Sequence, residues 1–169
     1  EDGTYPTSMQ LRIDGAIYRF DARGYMVTGW ASEDGRWYYY GPSGGQASGW
    51  TKAGGSWYYL DPLTGAMASG WTKVRDTWYH LSSSGAMTTG WLREGSTWFY
   101  LSSSGAMVTG WARVGSTWYH FGDGGAMSTG WLEEGGSWYY LSSSGAMVTG
   151  SRWIDGTRYV FDDEGRLQE

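Results

Sequence analysis

A unit of twenty residues recurs along almost the whole chain, and each full copy carries two tryptophans seven positions apart. The pairs are Trp30/Trp37, Trp50/Trp57, Trp71/Trp78, Trp91/Trp98, Trp111/Trp118 and Trp131/Trp138. A fixed short period means one supersecondary unit per copy. It also means a core made by stacking neighbours, since so short a piece cannot bury an apolar face alone. The period slips once, by one residue, in Asp61-Pro62-Leu63-Thr64-Gly65, where the other copies have four residues. Loops tolerate insertion, so this stretch reads as a loop.

From its first tryptophan a unit reads Gly-Trp, a short polar stretch, a turn, Trp-Tyr-Tyr-Leu, then Ser-Ser-Ser-Gly-Ala-Met-x-Thr. Between the tryptophans lie Asp14-Gly15, Asp34-Gly35, Gly54-Gly55, Gly95, Gly115, Gly135-Gly136 and Asp155-Gly156. Asp-Gly between β-prone runs is a hairpin signal, because glycine takes positive φ without a steric cost. The run after the turn is rich in β-favouring aromatics, and no stretch has a helical period. The expected fold is all-β, a β-solenoid of stacked β-hairpins joined by glycine-rich loops. Residues 10–169 form one repeat domain with units at 10–29, 30–49, 50–70, 71–90, 91–110, 111–130, 131–150 and 151–169, and residues 1–9 read as linker. The outer units read as caps. Gln10 and Ile17 replace both tryptophans at one end, Ser151 and Arg158 at the other, where Trp153 is out of register.

Composition limits what can fill the core and what can bind. Aliphatic side chains are few, whereas 18% of residues are aromatic and 29 are glycine, so rings must supply most of the buried area. A net charge of −5 disfavours nucleic acid and mildly favours a cationic ligand. Without cysteine no disulfide staples the fold. No apolar run approaches the roughly 20 residues needed to span a bilayer, so no membrane insertion is expected. The chain opens on Glu1-Asp2 without a signal peptide and reads as a module from a longer protein.

Comparing copies within the chain shows what each position must do. The residue after the second tryptophan is always a large ring: Tyr38, Tyr58, Tyr79, Phe99, Tyr119, Tyr139, and Tyr18 and Tyr159 in the caps. The third position (Tyr40, Leu60, Leu81, Leu101, Phe121, Leu141) reads as core filler. Strand side chains alternate faces, so the second tryptophan and the ring after it point opposite ways. In a stack, the two tryptophans of one unit meet the ring of the next. This predicts three-walled boxes from Trp30, Trp37 and Tyr58; Trp50, Trp57 and Tyr79; Trp71, Trp78 and Phe99; Trp91, Trp98 and Tyr119; Trp111, Trp118 and Tyr139; and Trp131, Trp138 and Tyr159. A methionine stands four residues before the next tryptophan position, at Met26, Met67, Met87, Met107, Met127 and Met147, with Gln46 the exception. A flexible thioether packs well against ring edges, so Met67, Met87, Met107, Met127 and Met147 are candidate apolar floors.

Three electron-rich faces around a small void suit a quaternary ammonium, whose diffuse charge is weakly hydrated and donates no hydrogen bond. Two other readings stay open on the residues alone: a carbohydrate-binding module with rings stacked on glucan, and a purely structural spacer. Enclosed cages favour the first reading, flat exposed platforms the second, and occluded rings the third. Nothing points to catalysis, a metal or a cofactor. His80 and His120 share one repeat position, have no obvious partners and read as exposed strand residues. The serine runs read as turn formers.

The pattern Gly-Trp, six residues, Trp-Tyr-Tyr-Leu, then Gly-x-Met-x-Thr-Gly-Trp closely resembles the choline-binding (cell-wall-binding) repeat of Gram-positive bacteria and their phages, over about residues 10 to 169. The resemblance implies a left-handed β-solenoid. It implies choline held by two tryptophans of one repeat and an aromatic of the next, often beside a methionine. It also implies a secreted, non-catalytic module that anchors a larger surface protein or lysin to choline or phosphocholine on teichoic or lipoteichoic acid, and hence an extracellular, wall-associated location. Related repeats of glucan-binding enzymes and clostridial toxins bind sugars. Three departures stand out: Phe99 keeps a ring, Gln46 removes the expected apolar floor of one early site, and His80 and His120 replace the second tyrosine.

Overall fold

The computed structural model describes residues 5–168; residues 1–4 of the expected linker, and residue 169, lie outside the described residues. The chain divides into two compact units, the first ending at Thr88 and the second beginning at Thr89. The first holds four antiparallel hairpins: β1 (Met9–Ile13) with β2 (Ala16–Phe20), β3 (Gly29–Glu33) with β4 (Arg36–Tyr40), β5 (Gly49–Ala53) with β6 (Ser56–Leu60), and β7 (Gly70–Val74) with β8 (Thr77–Leu81). The second also holds four: β9 (Gly90–Glu94) with β10 (Thr97–Leu101), β11 (Gly110–Val114) with β12 (Thr117–Phe121), β13 (Gly130–Glu134) with β14 (Ser137–Leu141), and β15 (Gly150–Ile154) with β16 (Thr157–Phe161). Each sheet has two strands, and among the described residues there is no helix. Met9, counted with the linker on sequence, opens β1. The chain just before it is tied down, with Ser8 N–H donating to the Asp21 carbonyl at 2.9 Å.

The hairpin turns follow their residues. Asp-Gly and Gly-Gly put both central residues at positive φ, as at Asp34 (49°) and Gly35 (75°). This is the two-residue turn that matches strand twist. The unit at 71–90 carries no glycine turn signal, yet Arg75 turns that hairpin at φ 55°. Cross-strand pairing and the chain connection outweigh the local cost of a non-glycine residue there.

Alternation then sorts the side chains. In β4, Trp37 and Tyr39 share one face with Trp30, their neighbour across the hairpin, while Tyr38 and Tyr40 share the other. The third-position residues form the core: Tyr40, Leu60 and Leu81 in the first unit, and Leu101, Phe121 and Leu141 in the second, all 0% exposed. Each buried leucine contributes roughly 1.5–3 kcal/mol. Such burial makes a stack stable where a lone two-stranded sheet is marginal.

The loops tie one hairpin to the next. Met67 N–H donates to the Trp37 carbonyl at 2.7 Å, Met87 to Trp57 at 2.7 Å, Met127 to Trp98 at 2.8 Å and Met147 to Trp118 at 2.9 Å. The methionine side chain lies against the glycine of the following loop. Gly85 has φ 80°, and a Cβ there would run into the Met67 thioether. Only glycine meets both the conformation and the space.

Candidate functional site

Three pockets repeat one design. One, of 380 Å³, is lined by Trp30, Trp37, Tyr58, Met67, Ser83 and Ser84. A second, of 350 Å³, has Trp91, Trp98, Tyr119, Met127, Ser143 and Ser144. The third, of 290 Å³, has Trp111, Trp118, Tyr139 and Met147 as its apolar walls and floor. Strand alternation explains the walls. The two tryptophans leave one face of a hairpin, and the next hairpin presents its first tyrosine to them.

The walls meet at wide angles. Trp91 and Trp98 stand 6.1 Å apart at 90°, and Trp131 and Trp138 6.2 Å apart at 81°. The first tryptophan meets the following hairpin's tyrosine at 4.6 Å for Trp30–Tyr58, 4.8 Å for Trp50–Tyr79, 4.9 Å for Trp91–Tyr119, 4.8 Å for Trp111–Tyr139 and 4.8 Å for Trp131–Tyr159. Trp71 and Trp78 lie in the first unit and Phe99 in the second. The second tryptophans stay well exposed, 47% at Trp37 and 45% at Trp138, so these rings are not occluded core. Wide-angled aromatic walls with their faces open to solvent are what a soft cation requires. Intramolecular cations already use this property. Lys52 Nζ lies 6.0 Å from the Trp57 ring and Arg93 Cζ 5.7 Å from the Trp98 ring, each across its hairpin. Trp153 and Arg158 keep that cross-strand pairing with the two residue types exchanged, which accounts for the out-of-register tryptophan.

Four features go beyond the sequence reading or correct it. The loop two copies further on rims each pocket, with Ser83 and Ser84 over Trp30 and Ser143 and Ser144 over Trp91. These serines are turn formers, as expected, and also pocket rim. The methionine–glycine packing described above lays that loop over the pocket. Over Trp111 the rim is Asp163, Glu164 and Arg166, the only charged rim of the three. Leu167 takes the methionine place beside Trp138, donating its N–H to that carbonyl at 2.7 Å. Gln46 does not remove the floor of a tryptophan pocket: Met67 lines the Trp30 pocket, and Gln46 N–H donates to the Ile17 carbonyl at 2.8 Å.

The histidines are not the partnerless exposed residues expected. His120 is buried, 8% exposed, its Nδ1 2.8 Å from Ser128 Oγ; His80 Nδ1 lies 2.9 Å from Thr88 Oγ1. Each packs edgewise on the first tryptophan of its own hairpin, at 5.3 Å for Trp71 and 5.2 Å for Trp111, where other copies place the second tyrosine.

The junction between the first two hairpins is of another kind. Its cavity is 170 Å³, lined in part by Arg12, Ile17, Gln46, Pro62 and Leu63. Gln10 Nε2 donates to Glu33 Oε2 at 2.8 Å and to the Tyr40 hydroxyl at 3.2 Å, and Arg19 pairs with Glu33 at 3.0 Å. Burial pushes the Tyr40 phenol above its ordinary range, and the Arg19 charge partly offsets this.

Comparison with known proteins gives the same pattern. The family model described as the choline-binding repeat matches residues 7–48, 27–70, 68–109 and 108–149. Among solved structures, CbpJ from Streptococcus pneumoniae is 40% identical with a TM-score of 0.88, over 90% of this chain and 56% of that one. Choline binding protein F from the same organism, solved with a peptidoglycan analogue, is 38% identical with a TM-score of 0.87, over 95% and 57%. The choline-binding domain of CbpL, also pneumococcal, is 31% identical with a TM-score of 0.70, over 96% and 87%. The chain thus spans little more than half of the first two. A search of curated proteins finds no match.

Proposed function

The chain belongs to the choline-binding repeat family, and on that premise we propose that it is a non-catalytic wall-binding module whose pockets take the trimethylammonium head of choline or phosphocholine. The observation that carries the reading is the geometry at Trp91, Trp98 and Tyr119. Two perpendicular indoles and a tyrosine surround an open pocket floored by Met127, with indole surface left in solvent. A spacer would gain stability by covering those rings. A sugar platform would offer one flat exposed ring, where this pocket has three walls set at wide angles.

Each cation–π contact supplies roughly 0.5–2 kcal/mol. Burying the methyl groups adds about 25 cal/mol per Å². One site is therefore weak, about millimolar. Several sites engaging a polymer that carries many cholines gain an avidity of about 10²-fold or more, which is a physical reason to repeat the unit. The polymer in this reading is teichoic or lipoteichoic acid, and the location extracellular and wall-associated. The greater length of CbpJ and choline binding protein F fits a module that anchors a larger surface protein or lysin.

The test is retention on a diethylaminoethyl resin, which mimics choline, with elution by free choline. Failure to bind, or release by salt alone, sinks the reading. Trp91→Ala with Trp98→Ala should remove one choline per chain in a tryptophan-fluorescence titration; unchanged stoichiometry would mean the site lies elsewhere.

A further inference from the structure

One cage wall is held by a carboxylate. The indole Nε1–H of Trp111 donates to Glu134 Oε2, at the end of β13 on the following hairpin. The same oxygen lies 3.9 Å from His120 Nε2, while His120 Nδ1 meets Ser128 Oγ at 2.8 Å. His120, Ser128 and Glu134 thus form one polar constellation behind Trp111.

The sequence shows that this set is exchanged as a block. Where the second-tyrosine position holds tyrosine, its two counterparts are aliphatic: Tyr39 goes with Ala47 and Ala53, Tyr59 with Ala68 and Val74, Tyr100 with Val108 and Val114, and Tyr140 with Val148 and Ile154. Where it holds histidine, the counterparts are a hydroxyl and a glutamate: His80 with Thr88 and Glu94, His120 with Ser128 and Glu134. Arg19 is likewise matched to Glu33. Aliphatic side chains cannot accept an indole N–H, so the Trp30, Trp50, Trp91 and Trp131 walls have no such acceptor at that position.

We propose that Glu134 is a positioning residue that makes the Trp111–Trp118–Tyr139 pocket the tightest quaternary-ammonium site of its unit. The inference rests on the choline reading above. A carboxylate on the indole N–H does two things. It fixes the ring's rotation, so the ligand does not have to order it. It also pushes electron density onto the ring, and a richer π-face attracts a cation more strongly. The charge on Glu134, and those of Asp163 and Glu164 at the rim, add attraction, which Arg166 at the same rim partly offsets.

The test uses the chain's own alternative. His120→Tyr with Ser128→Val and Glu134→Val installs the set found at Tyr100, Val108 and Val114, which the fold already accommodates. Choline titration followed by the indole N–H resonances, with Trp111 assigned through Trp111→Phe, reads each cage separately. The expected result is a rise in Kd of roughly two- to fivefold at Trp111. The Trp111 N–H proton should also move upfield, with no change at Trp30. Glu134→Gln, which keeps an acceptor and loses the charge, should fall between. An unchanged Kd at Trp111 in the triple variant, or an equal loss at Trp30, overturns the positioning role. If choline perturbs neither Trp30 nor Trp91 in the unaltered chain, the choline reading itself fails.

Discussion

Two junctions inside the first unit show what tryptophan adds to this fold. Where the hairpin β1–β2 meets β3–β4, the tryptophan positions hold Gln10 and Ile17; where β3–β4 meets β5–β6, they hold Trp30 and Trp37. The scaffold is otherwise the same. The loop N–H of Gln46 reaches the Ile17 carbonyl at 2.8 Å, and that of Met67 reaches Trp37 at 2.7 Å. Both side chains lie against a positive-φ glycine, Gly65 or Gly85. Tyr40 and Leu60 are equally buried. Hairpins therefore stack without any indole. The ring pair changes what lies open at the surface: a 170 Å³ polar cleft at the first junction and a 380 Å³ aromatic pocket at the second.

On the choline reading proposed above, stability and binding rest on different positions of one repeat, and mutation should separate them. The largest effect is expected in the shared scaffold. Leu60→Ala removes a fully buried side chain and should cost about 2–5 kcal/mol in chemical denaturation, depending on how far the gap closes. Trp37→Ala should cost well under half of that while abolishing choline at its pocket. If the two cost the same, the indoles belong to the core and the contrast between the junctions collapses.

How much of this was legible depends on where each determinant sits in the chain. The hairpins, the buried third position and the two-tryptophan face all follow from alternation and a fixed period, so one copy predicts the next. The third wall needed only the neighbouring copy. The rim at Ser83 and Ser84 comes from two copies away, and its place depends on how Met67 fills the space over Gly85. No local pattern carries that information. The histidine partners were present as correlated replacements, but each lies in another segment of the repeat, so reading one column at a time hid them. Arg75 gave no turn signal because arginine is not chosen for positive φ; its hairpin is set by the paired strands on either side.

A middle-sized effect should come from converting the first junction into the second. Gln10→Trp with Ile17→Trp and Gln46→Met supplies two walls and a floor, and Tyr38 already stands in place for the third wall. Glu33 would then be available to the new indole N–H, as Glu134 is to that of Trp111. Choline stoichiometry, read by calorimetry, should rise by one per chain, with a Kd about millimolar. A folded variant with no added site would show that pocket formation needs more than rings and floor, and the rim at Pro62 and Leu63 becomes the next suspect.

That rim yields the smallest expected effect. The Asp61 carboxylate organises the loop by accepting from Thr64 N–H at 2.8 Å, from the Thr64 hydroxyl at 2.9 Å and from Leu63 N–H at 3.1 Å. Those donors, Thr64 N–H foremost, favour the ionised form and hold its pKa below the ordinary carboxylate range. A depressed folded-state pKa stabilises above the unfolded value, about 4, and that contribution is lost as pH falls through the folded value. The loop after β14 uses at the same repeat position a hydroxyl that does not titrate, Ser142 Oγ accepting from Ala146 N–H at 3.2 Å. Asp61→Ala should therefore lower the melting temperature slightly at neutral pH, with the gap to the unaltered chain closing in acid. Ser142→Ala should leave a gap that acid does not change. A gap at Asp61 that persists below the carboxylate range would mean that the loop is held by its backbone turn and proline, and that its charge plays no part in setting the rim.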